Sequence, residues 1–309
     1  MEEIVDLVYI LGNGSVWNNN ELRFSLRSVE KNLQGAGKIY IVGERPSFLS
    51  DQVIHIPFPD MLGRSNADGN MALKILRACQ EPALTENFLF MNDDFIINKP
   101  VKASTIPWLH KGDMKNHTEG FWKSEAYRKR LHRTFKVLLE RGLPTLQYDY
   151  HAPMLMNKRL FPQCMDQFNF QDDIGYTFRS LYGNFYKLPA ELLAFQKKTV
   201  YHYYTLEQLH LLLARCVFVG YNDNGLNDSF HLWMYEKFPE ISRFETSDCD
   251  DLVINISRWL NTGMEYQSGV QLLKKFVKNR NLLFLMEGPY SKVLHEKLIF
   301  KLKLRLLNL

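Results

Sequence analysis

The spacing of hydrophobic positions in the first hundred residues predicts strands and helices in alternation. Compact apolar runs, which are typical of strands buried in a sheet, occur at residues 4–10, 38–42, 53–56 and 88–91. Apolar residues three or four positions apart predict one helix within 19–33, with Asn20 as its N-cap, and a second at 70–80. Strands that alternate with helices imply an α/β fold with a mostly parallel central sheet flanked by helices.

The rest of the chain divides into the remainder of a core and a helical tail. Further elements are predicted at 127–142 (helix), around 205–215 (helix) and 216–225 (strand into turn). Beyond about residue 250 the apolar spacing is helical throughout. The predicted domains are therefore a core at 1–250 and a basic helical C-terminal extension at 251–309, with no internal repeat.

Positive charge is concentrated in this tail. The whole sequence has a net charge of +4, whereas Val270–Leu309 contains nine Lys or Arg and two Glu, a net of +7. Lys297, Lys301 and Arg305 repeat at four-residue spacing, which predicts a basic amphipathic helix. Such a helix usually packs on its own domain, but the pattern is also typical of helices that contact DNA phosphates or an anionic membrane.

The composition is that of a globular protein without export or membrane signals, with 46% hydrophobic and 23% charged residues. No run reaches the roughly 18 uninterrupted apolar residues of a membrane-spanning helix. The start, "MEEIVDLVYI", is acidic where a secretory signal is basic. The four cysteines are widely spaced without a CxxC pair, which fits a reducing compartment. We therefore expect a cytoplasmic protein with no transmembrane segment.

Two adjacent carboxylates, Asp93 and Asp94, follow the apolar run at 88–91, with Asn92 before them. In an α/β sheet, ligands bind outside the carboxyl ends of the strands, where this pair is expected to lie. Paired carboxylates suit a divalent cation, Mg2+ or Mn2+, whose charge relieves their repulsion. The alternative is a turn in which one aspartate caps the next segment.

The loop Gly12-Asn13-Gly14 follows the first predicted strand and should lie at the same edge. The next helix carries Arg23 and Arg27 one turn apart, so both guanidinium groups are expected on one side. The helix N-terminus and the two arginines could together face a phosphate. The alternative is a solvated helix face on which the arginines pair with Glu30.

His151 stands in "YDYHAP", between Asp149 and the stiffening Pro153. A histidine in this setting could act as general base toward an acceptor hydroxyl. The simpler interpretation is a satisfied surface or core histidine, since the chain contains nine.

Two other polar pairs have a strong structural interpretation. Asn222 and Asp223 end an apolar run, but "NDNG" is also a good turn sequence. Asp172 and Asp173 are expected to open a helix, where capping explains them.

Taken together, these segments resemble the Stealth family, which includes bacterial capsular polysaccharide phosphotransferases and an animal N-acetylglucosamine phosphotransferase. The resemblance spans roughly residues 4 to 245 and consists of four blocks in the family's order. The corresponding segments are "VDLVYILGNGS", then "ELRFSLRSVEKNLQGAGKIYIVGERPSFL" through "FLFMNDDF", then "YDYHAPMLMNKRLF", and finally "CVFVGYNDN" leading to "YEKFPEISRFE". In the third block, His151 matches the family's catalytic histidine.

The resemblance implies a glycosyltransferase A-like core and a nucleotide-sugar donor, with a UDP-sugar as the first candidate, in polysaccharide biosynthesis. It places Asp173, with His151 and Asp94, among the candidate catalytic residues. Two departures stand out. The first block reads Gly-Asn-Gly where the family has Val-Asp-Gly, and Asn169 stands in place of a family arginine, for which Arg179 is a candidate substitute. Either sugar-1-phosphate or the sugar alone could therefore be transferred.

The sequence supports one set of expected roles and leaves two rivals open. Asp93, Asp94 and Asp223 are expected to hold the metal. The expected donor-binding residues are Gly12, Asn13, Gly14, Arg23, Arg27, Asn92, Arg179 and Asn222. The acceptor would be a glycan hydroxyl. The first rival is a glycosyltransferase that modifies hydroxymethylated bases of DNA, held through the basic C-terminal helix; the second is a non-catalytic protein that binds a glycan or a partner.

Overall fold

The computed structural model describes residues 3–15, 17, 19–116, 125–194 and 196–246. The strands of the described residues are β1 (Val5–Leu11), β2 (Leu33–Gln34), β3 (Ala36–Gly43), β4 (Val53–Ile56), β5 (Asn87–Met91), β6 (Phe95–Ile97), β7 (Val101–Lys102), β8 (Leu109–His110), β9 (Met154–Asn157), β10 (Glu191–Leu192), β11 (Lys197–Val200) and β12 (Phe218–Tyr221). The helices are α1 (Asn20–Asn32), α2 (Ala67–Cys79), α3 (Glu125–Glu140), α4 (Leu160–Met165), α5 (Phe178–Phe185), α6 (Leu206–Leu213) and α7 (Asp228–Lys237). The predicted extension at 251–309 lies outside the described residues, as does its proposed contact with DNA.

The central sheet has five strands in the order β4-β3-β1-β5-β9. The first four are parallel and β9 is antiparallel to β5. All seven residues of β1 are buried, because this strand has a neighbour on each side and apolar packing on both faces. The predicted α/β class with a mostly parallel sheet flanked by helices is confirmed.

The early elements lie close to their predicted positions, and one predicted cap is wrong. Helix α1 begins at Asn20, so that Asn19, in the left-handed conformation, holds the cap position. The Asn20 side chain instead donates to the Trp17 carbonyl at 2.8 Å. Helix α2 begins after Asn66, whose side chain accepts the Gly69 N–H at 2.8 Å, the bond expected of an N-cap.

A second, three-stranded sheet in the order β11-β12-β6 packs beside the first. It has its own apolar core, built around Trp233, Phe230 and Phe24, to which helices α1, α6 and α7 contribute. The segment 92–94 joins β5 of the central sheet to β6 of the second sheet. The acidic pair at 93–94 therefore lies where the two sheets meet.

Asp172 and Asp173 do not open a helix, so that prediction is wrong. Helix α5 begins at Phe178. The Asp172 carboxylate accepts the N–H groups of Ile174 and Gly175, at 3.1 and 2.8 Å, which makes a local turn.

Among the described residues, no helix combines the length and the apolar character needed to cross a membrane.

Candidate active site

A cleft of about 470 Å³ opens where β1, β5 and β12 end. Its lining comes from four separate stretches of the chain, and the lining residues are Gly12, Gly14, Ser15, Glu21, Asp93, Asp94, His151, Tyr221, Asn222, Asp223 and Asn224. The carboxyl edge of a parallel sheet is where ligands of α/β proteins bind. The predicted convergence of the glycine loop, the acidic pair and the histidine is thus observed.

The acidic pair stands in a turn that is anchored at both ends. Met91 and Phe95 are fully buried, and the Phe95 N–H donates to the Asn92 carbonyl at 3.3 Å. The Asp94 side chain is 19% exposed. Within the described residues, its Oδ1 and the Oδ1 of Asn92 are buried without a hydrogen-bond partner. Unpaired buried oxygens are costly, so both atoms suit a cation or a ligand donor.

His151 contacts the acidic pair directly. Its Nδ1 lies 3.0 Å from Asp94 Oδ2. A carboxylate accepts hydrogen bonds, so Nδ1 carries the proton in this contact and Nε2 is left as the basic nitrogen of the ring. Burial lowers the pKa of His151 below its ordinary value of 6.5, although Asp94 opposes this shift. Burial thus favours the neutral imidazole, the form that a general base requires.

The position of His151 depends on a glycine in β12. A Cβ atom at Gly220 would lie 2.5 Å from the Cβ of His151 and 2.7 Å from its carbonyl oxygen. Both distances are below van der Waals contact, and the oxygen is main chain that cannot turn aside. Gly220 therefore permits β12 to approach the backbone of His151, which places the imidazole beside the loop at 221–224.

Glu21, which the sequence analysis did not single out, also lines the cleft. It lies in the first turn of α1, and Ser15 Oγ donates to its Oε2 at 2.8 Å. The Ser15 hydroxyl also accepts the Asn19 N–H at 2.8 Å, which fixes the loop between β1 and α1. Glu21 could have been identified from its position at the start of the helix that follows β1, because the first turn of that helix lies at the same sheet edge as Gly12.

The cleft is strongly acidic. Burial raises the pKa of Asp93, and the neighbouring Asp94 and Glu21 raise it further. Burial also raises the pKa of Glu21, with Asp223 and Asp94 contributing. None of the described residues that line the cleft is Lys or Arg. A diphosphate would therefore be repelled from this cleft unless a cation entered with it.

The described residues include no group of three or more His, Cys, Asp or Glu arranged to hold a metal ion by themselves. Mg2+ commonly takes one or two carboxylates and completes its shell with water and substrate phosphates. Asp93 and Asp94, with the unpaired Oδ1 atoms of Asp94 and Asn92, fit that pattern of partial ligation.

Arg23 and Arg27 are not part of the cleft, and their predicted role in donor binding is wrong. Both side chains are fully buried against Glu245. Arg23 Nη1 donates to Glu245 Oε2 at 2.8 Å, and Arg27 binds both carboxylate oxygens at 2.9 Å. The ring of Phe48 packs on the Arg23 guanidinium at 3.9 Å. Glu30, the alternative partner, pairs with Arg243 instead.

Four other predicted residues also lie outside the cleft lining: Arg179, Asp173, Asn13 and Asn92, which directly precedes the acidic pair. Arg179 is buried, and its Nη1 donates to the Tyr150 carbonyl at 2.6 Å, so it holds the backbone just before His151. Asp173 is exposed, and its carbonyl accepts a bond from the Ser65 hydroxyl at 2.8 Å. Asn13 is exposed between the two glycines that do line the cleft.

Asn222 and Asp223 belong both to a turn and to the lining of the cleft. Asn222 Oδ1 accepts the Gly225 N–H at 3.1 Å, which makes a turn after β12. Both residues also line the cleft, so they share it with the acidic pair although the two segments are far apart along the chain.

Comparisons with known proteins give little beyond this geometry. No protein-family model matches the chain, and no curated protein matches it. Among solved structures, it is similar to the apo form of mouse xyloside xylosyltransferase 1, at 11% sequence identity, over 74% of this chain and 100% of that chain. The TM-score is 0.38, a similarity too distant to decide the fold or the function.

Proposed function

We propose that this chain is a transferase with a glycosyltransferase A-like core that uses a nucleotide-activated sugar. It passes the sugar or sugar-1-phosphate to an acceptor hydroxyl of a glycan. One observation carries the proposal: four blocks that resemble Stealth sequences, far apart in the chain, contribute Gly12, Asp94, His151 and Asn222 to one cleft.

The acidic lining supports dependence on Mg2+ or Mn2+. Asp94 would ligate the ion, with help from Asp93 and Asp223. When bound, the ion would neutralise the carboxylates and the diphosphate of the donor, and so stabilise the charge that develops on the departing phosphate. The glycine loop borders open space, because a Cβ at Gly14 would meet no atom within 4 Å and one at Gly12 would come no closer than 3.9 Å to the Asp60 carboxylate.

In the proposed reaction, His151 receives the proton of the acceptor hydroxyl at Nε2. If the sugar is transferred, the acceptor oxygen bonds to the anomeric carbon, and the bond from that carbon to the diphosphate oxygen breaks. If sugar-1-phosphate is transferred, the acceptor oxygen bonds to the β-phosphorus, and the nucleoside monophosphate leaves. Asp94 keeps the imidazole oriented in either case, through the 3.0 Å contact with Nδ1.

The test is turnover of a panel of nucleotide sugars by the purified protein, with Mn2+ and with a chelator. We expect metal-dependent release of nucleotide by the wild type and loss of at least 100-fold in Asp94→Asn, on the order of the effect of general-base and electrostatic groups. Asp51→Asn is the matched control, because Asp51 is fully exposed. Full activity in Asp94→Asn, or turnover indifferent to chelation, would reject the proposed roles.

A non-catalytic binding function gives a different result in the same assay. Nucleotide sugars would then raise the melting temperature of the wild type without being turned over.

A further inference from the structure

Residues 201–204, Tyr-His-Tyr-Tyr, form an aromatic segment between β11 and α6. Tyr201 is 39% exposed and Tyr203 is 67% exposed, whereas Tyr204 packs against the second core. Single exposed rings are ordinary on protein surfaces. Tyr201, however, also contacts the candidate catalytic histidine.

The aromatic segment is held by its neighbours at both ends. Before it, Val200 pairs with Tyr221, and a Cβ at Gly225 would lie only 2.0 Å from the Val200 carbonyl oxygen. After it, Thr205 caps α6 in a capping box with Gln208. The exposed rings are therefore presented from a backbone fixed on each side.

The segment is continuous with the cleft. The rings of Tyr201 and His151 lie 6.4 Å apart at 90°, an edge-to-face contact. A ligand that stacks on this segment would thus place its next atoms at the imidazole that receives the acceptor proton. Among the described residues that line the cleft, the aromatic rings are those of His151 and Tyr221. Tyr221 is buried, so it offers no exposed face for stacking.

The chemistry of the segment favours a neutral, ring-shaped ligand. The segment contains no Asp, Glu, Lys or Arg. The cleft beside it holds the carboxylates of Asp94 and Asp223, which repel anions. Tyrosine offers a flat apolar face together with a hydroxyl that donates and accepts, which suits the C–H face and hydroxyl rim of a pyranose.

We propose that the aromatic segment at 201–204 binds the neutral sugar rings of the acceptor glycan and directs an acceptor hydroxyl to His151. This inference rests on the proposed function and adds the site and the chemical class of the acceptor. A nucleobase of the donor would also stack on tyrosine, so the experiment must separate the two.

The experiment measures two kinds of binding with the full chain. The first probe is an array of neutral oligosaccharides, without nucleotide or metal; the second is UDP with Mn2+, by calorimetry. We expect Tyr201→Ala to weaken oligosaccharide binding about tenfold, the effect of losing one stacked ring beside His151, and to leave UDP binding unchanged. Tyr201→Phe should retain most of the binding, because it keeps the ring. Leu211→Ala is the matched control, since Leu211 is 75% exposed in α6.

Each outcome decides the matter. The inference is overturned if the wild type binds no oligosaccharide on the array, if Tyr201→Ala binds as the wild type does, or if Tyr201→Ala loses UDP binding instead. Turnover of nucleotide sugars by the wild type is measured separately. If turnover is absent while glycan binding depends on Tyr201, the proposed transferase fails and the glycan site stands. If turnover is present without a Tyr201 effect, the glycan site fails alone.

Discussion

Replacement of Glu245 by Gln should strongly destabilise the protein. Glu245 forms ion pairs with both Arg23 and Arg27, and all three side chains are at most 1% exposed. Glutamine has the same shape but no charge. Two buried guanidinium groups would then lie beside a neutral amide. Removing only one partner of a buried ion pair is strongly destabilising, because the remaining charge stays buried without compensation.

The expected magnitude follows from this geometry. Removal of one member of a buried ion pair costs about 3–5 kcal/mol. An exposed pair such as Glu30–Arg243, in which the arginine is 55% exposed, contributes about 0–1 kcal/mol. Glu30→Gln is therefore the control. Burial by itself would raise the pKa of Glu245, but Arg27 and Arg23 hold it below 4.5. The stabilisation is thus present at neutral pH and is lost as pH falls through that lowered pKa.

The assay is urea unfolding of the wild type, Glu245→Gln and Glu30→Gln at pH 7 and again near pH 4. We expect the free energy of unfolding of Glu245→Gln to be lower by about 3–5 kcal/mol at pH 7, and the gap to narrow in acid. A loss at pH 7 no larger than that of Glu30→Gln would refute the structural role. If Arg23→Lys had the stability of the wild type but a raised KM for the donor, the predicted role of the arginines in donor binding would be supported instead.

Three further expectations concern the cleft. Gly220→Ala should lower the free energy of unfolding by about 1–3 kcal/mol, because its Cβ would overlap His151, and it should also reduce turnover. A variant as stable as the wild type would contradict the close approach of β12 to His151. Gly14→Ala should leave the melting temperature unchanged, because the space around Gly14 is open. It should raise the KM for the donor if a diphosphate lies beside Gly14, and an unchanged KM would place the donor elsewhere. The acid limb of the kcat/KM profile, which reports groups of the free protein, should lie below pH 6.5, because the pKa of His151 is lowered. Asp94→Asn should move the acid limb of any residual activity to still lower pH, because Asp94 raises that pKa. A midpoint above 6.5 would argue against His151 as the base.

The central strands could be predicted because they are continuous apolar runs. β1, β3 and β5 have a neighbouring strand on each side and are buried on both faces, so their residues are mostly apolar. β4 is an edge strand, which its short apolar run at 53–56 was enough to predict. Helix α7 was not predicted, since "DSFHLWMYEK" is surrounded by the second core and shows no single polar face. The three residues of β6 are too few to show a period.

The site could be predicted where a residue follows a strand, and not where it depends on distant partners. Asp94 and Gly12 were found because strand ends converge at one edge. The error over Arg27 arose because its partner Glu245 lies 218 residues away, and helical spacing carries no information about it. Glu30 was the only candidate that a local pattern could offer.

Close main-chain packing along one wall of the cleft has a consequence for selectivity. Gly220 abuts His151, and Gly225 abuts Val200, which precedes the aromatic segment. The separation between the proton acceptor, the 221–224 loop and the tyrosines is thereby set by peptide backbone. Under the proposed function, altering surface side chains would change how tightly an oligosaccharide is held, but the regiochemistry of the new linkage would stay the same.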